Sequence, residues 1–450
     1  MTRPGRPEIL PVLAFTLLTA TNAYSSDVAS GDCAQLPAGP VLTLEAAADR
    51  LDRCNPSLLT ARAAVAAADA DITTADHAPN PTLGLSTSNI NPKVGVGNGS
   101  LKDRTVDSAI RLDQLIERGG KRAARRDTAR ASASASRFAL RDTELQAQQA
   151  LLESYTGAAA AAESMELLQQ AAASYRQSAD AMSRRLRAGD VARIEVNRTT
   201  LDAGRAEADA QAAAVALTQA RAALAALLGA AQLPDETHLL TLEQLAARRT
   251  SSIDVPAVSA QLVSERPDVR AASGRLDAAR GALAVARAAR IRDVDVTVGF
   301  DHWPASLTNT QGTGDSFTFG ASVPLQIFDS GRGPVGHAVA DVDVAQTELR
   351  RSETAAEIEI RTATEELARA DALAQRYRTD LVPSATQILD AEELAYRRGG
   401  ASLLDLLDAR RNARQVSLAA VAARRDAEVA AARLQLALGR EPLSLFRRNP

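Results

Sequence analysis

Aromatic side chains make up only 3% of this 450-residue chain, too few for the core of a large globular enzyme. Alanine is abundant instead, and small side chains of high helix propensity suit long helices packed closely together. No stretch approaches twenty apolar residues, so a transmembrane helix is not expected in the mature chain. An excess of one charge is also missing. Acids outnumber bases by only 55 to 52, which gives no reason to expect a nucleic-acid partner. The basic run Lys121-Arg122-Ala123-Ala124-Arg125-Arg126 reads as a solvated helix start. Four scattered histidines (His77, His238, His302, His337) have no metal-ligand spacing with the two cysteines. Glycine-rich stretches lack the phosphate-loop pattern, and no acid/base or nucleophile grouping stands out. The expectation is no enzyme, no metal centre and no cofactor.

The N-terminus has the pattern of a secretory signal over residues 1–23. Arg3 and Arg6 precede a short apolar run, Ile9–Leu18, and Thr21-Asn22-Ala23 resembles a small-x-small cleavage site. The two cysteines, Cys33 and Cys54, follow early in the mature chain. In an oxidising periplasm such a pair reads as a disulfide stapling the tail to the first helix. A loop of that size would contribute about 3 kcal/mol. A lipid on Cys33 is the alternative, against which stand the preceding Asp32 and the distance to the apolar run.

The sequence is written twice. Arg266-Pro267 follows Asn55-Pro56 by 211 residues, and Ser330-Gly331-Arg332 follows Gly119-Gly120-Lys121 by the same interval. Arg397-Arg398-Gly399 repeats Arg187-Ala188-Gly189, and Ala437-Leu438-Gly439 repeats Leu227-Leu228-Gly229, each 210 later. A nearly constant offset across four landmarks marks a tandem duplication. The first repeat spans 24–230 and the second 263–439, with a linker at 231–262 and a tail at 440–450. Each repeat has a helix, two strands, a very long helix broken at a glycine, and a further helix.

The strands, at about 81–92, 104–116, 293–303 and 316–327, alternate apolar and polar residues. In RDVDVTVGFDH (Arg292–His302), Val294, Val296, Val298 and Phe300 oppose Asp295 and Asp301. Val106, Ile110 and Leu112 oppose Asp107, Arg111 and Asp113 in the same way, so each strand has one apolar and one polar face. Strands of about ten residues with this pattern are the signature of an outer-membrane β-barrel. Four strands cannot close, and open edges in lipid leave backbone groups unpaired at several kcal/mol each. Other copies must supply the rest, two chains giving eight strands and three giving twelve. Acids would line water, and Trp303 would sit at the membrane interface.

Below the strands, Ile360, Leu367, Ala374, Leu381, Ile388 and Ala395 step by seven, with Ala363, Ala370, Tyr377, Ser384 and Ala391 between them. This is a coiled-coil seam with small members that permit close approach. Pro383 should bend the helix without ending it.

The chain resembles TolC-like outer-membrane efflux proteins over nearly its whole mature length. The resemblance is carried by Asn55-Pro56, Arg266-Pro267-Asp268-Val269-Arg270, Gly119-Gly120-Lys121-Arg122, Val323-Pro324-Leu325 and YRRGGASLLDLLDAR (Tyr396–Arg410). It implies a mainly α fold with a small membrane β-barrel: a homotrimer with one twelve-stranded barrel and a long periplasmic α-helical barrel. It further implies docking to a periplasmic adapter joined to an inner-membrane pump. The expected function is a passive, gated outer-membrane duct, and the compact length leans toward the CzcC-type heavy-metal efflux branch. A drug-efflux or type I secretion duct, and a pore-free coiled-coil envelope scaffold, are the alternatives.

By the same resemblance the helical turns form the tips that adapters grip, at Leu186, Gly189 and Val191 and at Gly399, Ser402 and Leu403. Asp405 and Asp408 match the family's entrance constriction, where threefold symmetry makes carboxylate rings whose mutual repulsion would raise some pKa values. Glu195 and Tyr396 match two members of the family's closing lock. The arginine of that lock is replaced by Ala401, so another base such as Arg193 or Arg397 would be needed.

Overall fold

A computed structural model describes residues 33, 41–90, 106–234, 236–249, 258–304 and 313–446. The leader at 1–23 lies outside the described residues, as do 91–105, with the expected strand ends at 91–92 and 104–105, and 305–312.

After β1 (Val41–Leu42) and α1 (Leu44–Cys54), Pro56 opens α2 (Pro56–Ala75). Proline suits the first helical turn, where its missing N–H has no partner to lose. Asn55 caps the helix, accepting from the backbone N–H groups of Ser57 and Leu58. Strands β2 (Thr82–Ser88) and β3 (Asp107–Ile116) lead into α3 (Lys121–Ala188), whose 68 residues at ~1.5 Å each make a rod of about 100 Å. The chain returns through α4 (Arg193–Leu227). A short middle section follows: β4 (His238–Leu239), α5 (Leu242–Arg248) and α6 (Ala260–Glu265). The pattern then repeats as α7 (Pro267–Ala288), β5 (Val294–Trp303), β6 (Gly314–Ser322), α8 (Arg332–Arg376), α9 (Val382–Arg397) and α10 (Leu403–Ala437).

Four strands form one antiparallel sheet in the order β2-β3-β5-β6, and among the described residues no further strand pairs with either outer edge. The duplication holds to the residue. Five pairs of the first hairpin, from Gly84↔Arg111 to Ser88↔Asp107, recur 211 positions later, from Asp295↔Ser322 to Gly299↔Thr318. The ladder of β6 ends at Ser322, short of the expected 327, one residue before the Val323-Pro324 step. Proline has no N–H for a ladder.

The expected bend at Pro383 takes another form. Residues Tyr377–Leu381 make a single π-helical turn between α8 and α9, with the Val382 N–H donating to the Tyr377 carbonyl. Widening the helix one turn ahead of the proline accommodates the ring and the missing N–H while the helix runs on. The seam below this turn is open in the lone chain: Ile360 is fully buried, whereas Ile388 is 51% exposed.

The core sits at the waist, where α3, α4 and α10 meet the middle section. Leu151, Leu152, Tyr155, Leu224, Leu242, Leu245 and Leu434 are buried together. β1 and β4 pair in parallel, and the Tyr155 hydroxyl stitches them together. It donates to the Leu42 carbonyl and accepts from the Leu240 N–H. Burial pushes the Tyr155 pKa up to about 12. Cys33 and Cys54 are joined by a disulfide, with Cα atoms 5.6 Å apart. Buried Arg50 secures the same corner, donating to the Leu228 carbonyl at 3.0 Å and to that of Cys33. Gly229 (φ +66°) passes so close that a Cβ there would lie 2.4 Å from the Cys54 carbonyl oxygen.

Candidate channel wall and gate

The sheet has two chemically distinct faces. On one, Leu83, Leu85, Ile110, Val298, Phe317 and Phe319 stand exposed, with Phe319 77% accessible. Among the described residues nothing else covers them. The opposite face carries Asp107, Asp113, Asp295 and Asp301 against one cation, Arg111. The two glycines flanking Arg111 across the strands, Gly84 and Gly299, leave room for its stem. Its guanidinium lies 3.7 Å from Asp301. Thr318 donates to Asp301 at 2.8 Å, and Thr297 donates to Asp113. Trp303 belongs to this polar face, packed beside Gly314. It shares the phase of Asp301 and stands at the strand end, and its expected place at the membrane interface is a matter of height that strand parity does not decide. His302 takes the apolar phase at the strand end and pairs with Asp315.

At the inner end of the sheet the Gly119-Gly120-Lys121-Arg122 motif joins the two repeats. Asp293 accepts from the Arg118 backbone N–H at 2.9 Å and from Lys121 Nζ at 2.7 Å. Gly119 has φ +73°, and a Cβ there would meet the Ile291 side chain at 2.7 Å.

The far ends of the helices carry the turns. Gly189 and Gly399 take left-handed conformations (φ +85° and +76°). In both, crossed backbone bonds close the helix end: Gly189 N to Leu186 O and Asp190 N to Arg185 O, then Gly399 N to Tyr396 O and Gly400 N to Ala395 O. Both glycines are exposed, and Leu186 and Val191 are half-buried. Leu403 turns inward against Tyr175, Ala206 and Leu407. The apolar side chains left open are Ile194 and Leu404, five residues after each tip glycine and 57% and 54% exposed. Their matched positions in the two repeats were the signal that could have singled them out.

Asp405 is held at the start of α10. Its carboxylate accepts from the Ser402 hydroxyl at 2.7 Å and backbone N–H at 3.1 Å, while its own N–H donates back to Ser402 Oγ. This capping box holds its carboxyl below the usual range, chiefly through the Ser402 hydroxyl. Within one chain the shift is therefore opposite to that expected from ring repulsion. Asp408, one turn on, pairs with Arg411 at 2.8 Å.

The expected lock is not assembled within the chain. α4 packs along α3, and α9 along α10, so Glu195 and Tyr396 lie on different helix pairs, and among the described residues no bond joins them. The Tyr396 hydroxyl instead accepts from Arg185 at 3.4 Å, in place of Arg193 or Arg397. A stronger tie comes from Arg410, which donates to Glu393 on α9 at 2.9 Å and to Ser178 on α3 at 2.8 Å. It closes the motif that runs from Tyr396, so its position was legible although its role was not. Ser178, Met182, Arg185, Glu393, Tyr396 and Arg410 surround a cleft of about 400 Å³.

At the waist, Glu428 on α10 is buried (2% exposed). Its nearest cation is Arg249, whose Nε lies 3.6 Å from Oε2, and that oxygen has no hydrogen bond. Burial pushes its carboxyl up to about 7, Arg249 opposing and Asp371 adding to the shift. It borders a 790 Å³ cleft whose other walls include Tyr377 and Arg378 of the π turn.

An open-edged sheet with an apolar outer face, set on rods about 100 Å long, defines the class: an outer-membrane channel subunit. Residues 48–230 and 258–440 each match the model of the outer membrane efflux protein family, and the chain belongs to that family. Its site is the outer membrane, extending into the periplasm. It is 27% identical to the cobalt-zinc-cadmium resistance protein CzcC of Cupriavidus metallidurans over 83% of this chain and 84% of that one. It is 29% identical to the cation efflux system protein CusC of Escherichia coli over 44% of this chain and 42% of that one. Among solved structures, a membrane protein from Pseudomonas aeruginosa superposes with a TM-score of 0.71 at 22% identity, covering 88% of this chain and 92% of the other. A CusC crystal structure gives 0.65, also at 22%, with the same coverage.

Proposed function

We propose that three copies form a passive outer-membrane duct of a tripartite efflux system, receiving heavy-metal cations from a periplasmic adapter and an inner-membrane pump. The observation that carries the trimer is the sheet itself: four strands with two free edges and an apolar outer face. Twelve strands satisfy both edges and enclose a polar lumen. The cation cargo is supported by the charge of the polar face, where four aspartates oppose one arginine in each chain. The two relatives named for cation resistance and efflux agree with it. The energy comes from the pump, and the chain acts as a conduit without catalysis.

The exposed ends at Ile194 and Leu404, with the glycine turns beside them, are the surface for the adapter. Asp405 and Asp408 ring the entrance. Arg410 braces three helices just above it and keeps the mouth narrow.

Planar-bilayer recording tests this reading. The wild-type oligomer should conduct weakly and prefer cations in a KCl gradient, and Arg410→Ala should increase conductance severalfold. Loss of the gene should sensitise cells to divalent metal ions more than to organic drugs. A purified oligomer that never conducts, with or without Arg410, would refute the duct.

A further inference from the structure

The duplication also specifies how neighbouring chains join. We infer that residues 320–327 of one copy pair antiparallel with residues 83–90 of the next, bringing Leu325 opposite Leu85 and Ile327 opposite Leu83. This rests on the trimeric reading above and adds its register.

Within a chain, the junction between repeats is the β3·β5 ladder, where Gln114 faces Val296 and Ile116 faces Val294. In a closed ring of six hairpins the junction between copies is the same contact, made by β6 with the next chain's β2. Moving the first partner forward by 211 and the second back by 211 converts Gln114↔Val296 into Leu325↔Leu85. The same operation converts Ile116↔Val294 into Ile327↔Leu83. The offset is already exact inside the hairpins, where five pairs recur at 211.

An asymmetry in the lone chain supports this register. β3 runs on to Ile116, but its ladder with β2 ends at Asp113, so Gln114, Leu115 and Ile116 are held by β5 alone. Their counterparts, Leu325, Gln326 and Ile327, lie beyond the end of β6 and have no such neighbour. Val323, Leu325 and Ile327 nevertheless keep the apolar phase of Phe317 and Phe319, and Leu325 is 79% exposed. The segment keeps the alternation of a strand and has no strand partner among the described residues. On the next copy the pairing sets Leu and Ile against Leu on the lipid side, a favourable cross-strand match. Pro324, opposite Ser86, gives up one donor at the base of the barrel.

Cysteine cross-linking tests the register. Leu85→Cys with Leu325→Cys, and independently Leu83→Cys with Ile327→Cys, are made with the native disulfide left intact, then treated with a short bis-methanethiosulfonate. Intramolecular bridging is excluded because β2 and β6 are opposite edges of the sheet, three strand spacings of ~4.8 Å apart. Covalent trimers should form at least tenfold more efficiently than with Leu85→Cys and Phe319→Cys, which reports a shift of six residues. Trimers by native mass that link only through the 85–319 pair would overturn the register and leave the trimer standing. A monodisperse monomer with no link at any pair would overturn both.

Discussion

The two repeats share one backbone plan but support it with different chemistry at matching positions. Asn55 and Arg266 stand at the same point before the proline, and each reaches the last carbonyl of the returning helix. Asn55 does so with one neutral bond to Leu227 O at 2.9 Å. Arg266 bonds Ala437 O at 2.8 Å and also holds Asp268 and Glu359. At the tips, Ala192 gives α4 no side-chain cap, whereas Ser402 builds a full capping box on α10. In the long helices, α3 runs unbroken while its partner is widened at Tyr377–Leu381. The buried acid Glu428 has Thr218 as its counterpart. The two repeats share geometry, and the second carries the ionic contacts of Arg266, the capping box at the tip and the π turn.

Substitutions can break that contrast. Arg266→Ala leaves Asp268 and Glu359 around a vacated, largely buried position and should cost about 3–5 kcal/mol, less whatever exposed Glu359 recovers from water. Asn55→Ala should cost about 1 kcal/mol. Thermal unfolding of the two variants in detergent measures the gap, and equal losses would remove the distinction. Glu428 is next. Its folded carboxyl binds the proton more tightly than the unfolded chain does, so its contribution to stability is complete below the usual pKa and is lost as pH rises from about 4.5 toward 7. Glu428→Gln should therefore stabilise the protein at pH 8 by about 2 kcal/mol and flatten the pH dependence in that window. A Thr218→Gln control should change neither. The smallest effect is at the tips. Ser402→Ala should weaken the α10 start by about 1 kcal/mol and let the Asp405 carboxyl rise toward its ordinary range. Hydrogen exchange at residues 403–406 should then approach that at 193–196.

Much of this architecture was legible because repetition and alternation are statements about backbone period. The offset of 210 to 211 residues aligned the major elements of the two repeats, and strand parity separated the acidic face from the apolar one. Strand ends were less legible: 316–327 reads as one strand, but a ladder needs a neighbour, and the lone chain has none beyond Ser322. The tip was readable as a motif and unreadable as a network. Which helix Tyr396 touches depends on how four rods pack, and Arg185 carries no local mark of that contact. The π turn was missed because Pro383 signals the disturbance and says nothing of the residues that absorb it.

The clasp between Lys121, Arg118 and Asp293 has a mechanical corollary. It ties the start of α3 to the residue just before β5 in the other repeat, so this junction should resist swivelling when the mouth moves. The π turn at Tyr377–Leu381 lies on the other long helix, away from this clasp. If the proposed duct opens at its periplasmic mouth, the strand end tied by this clasp should keep its place.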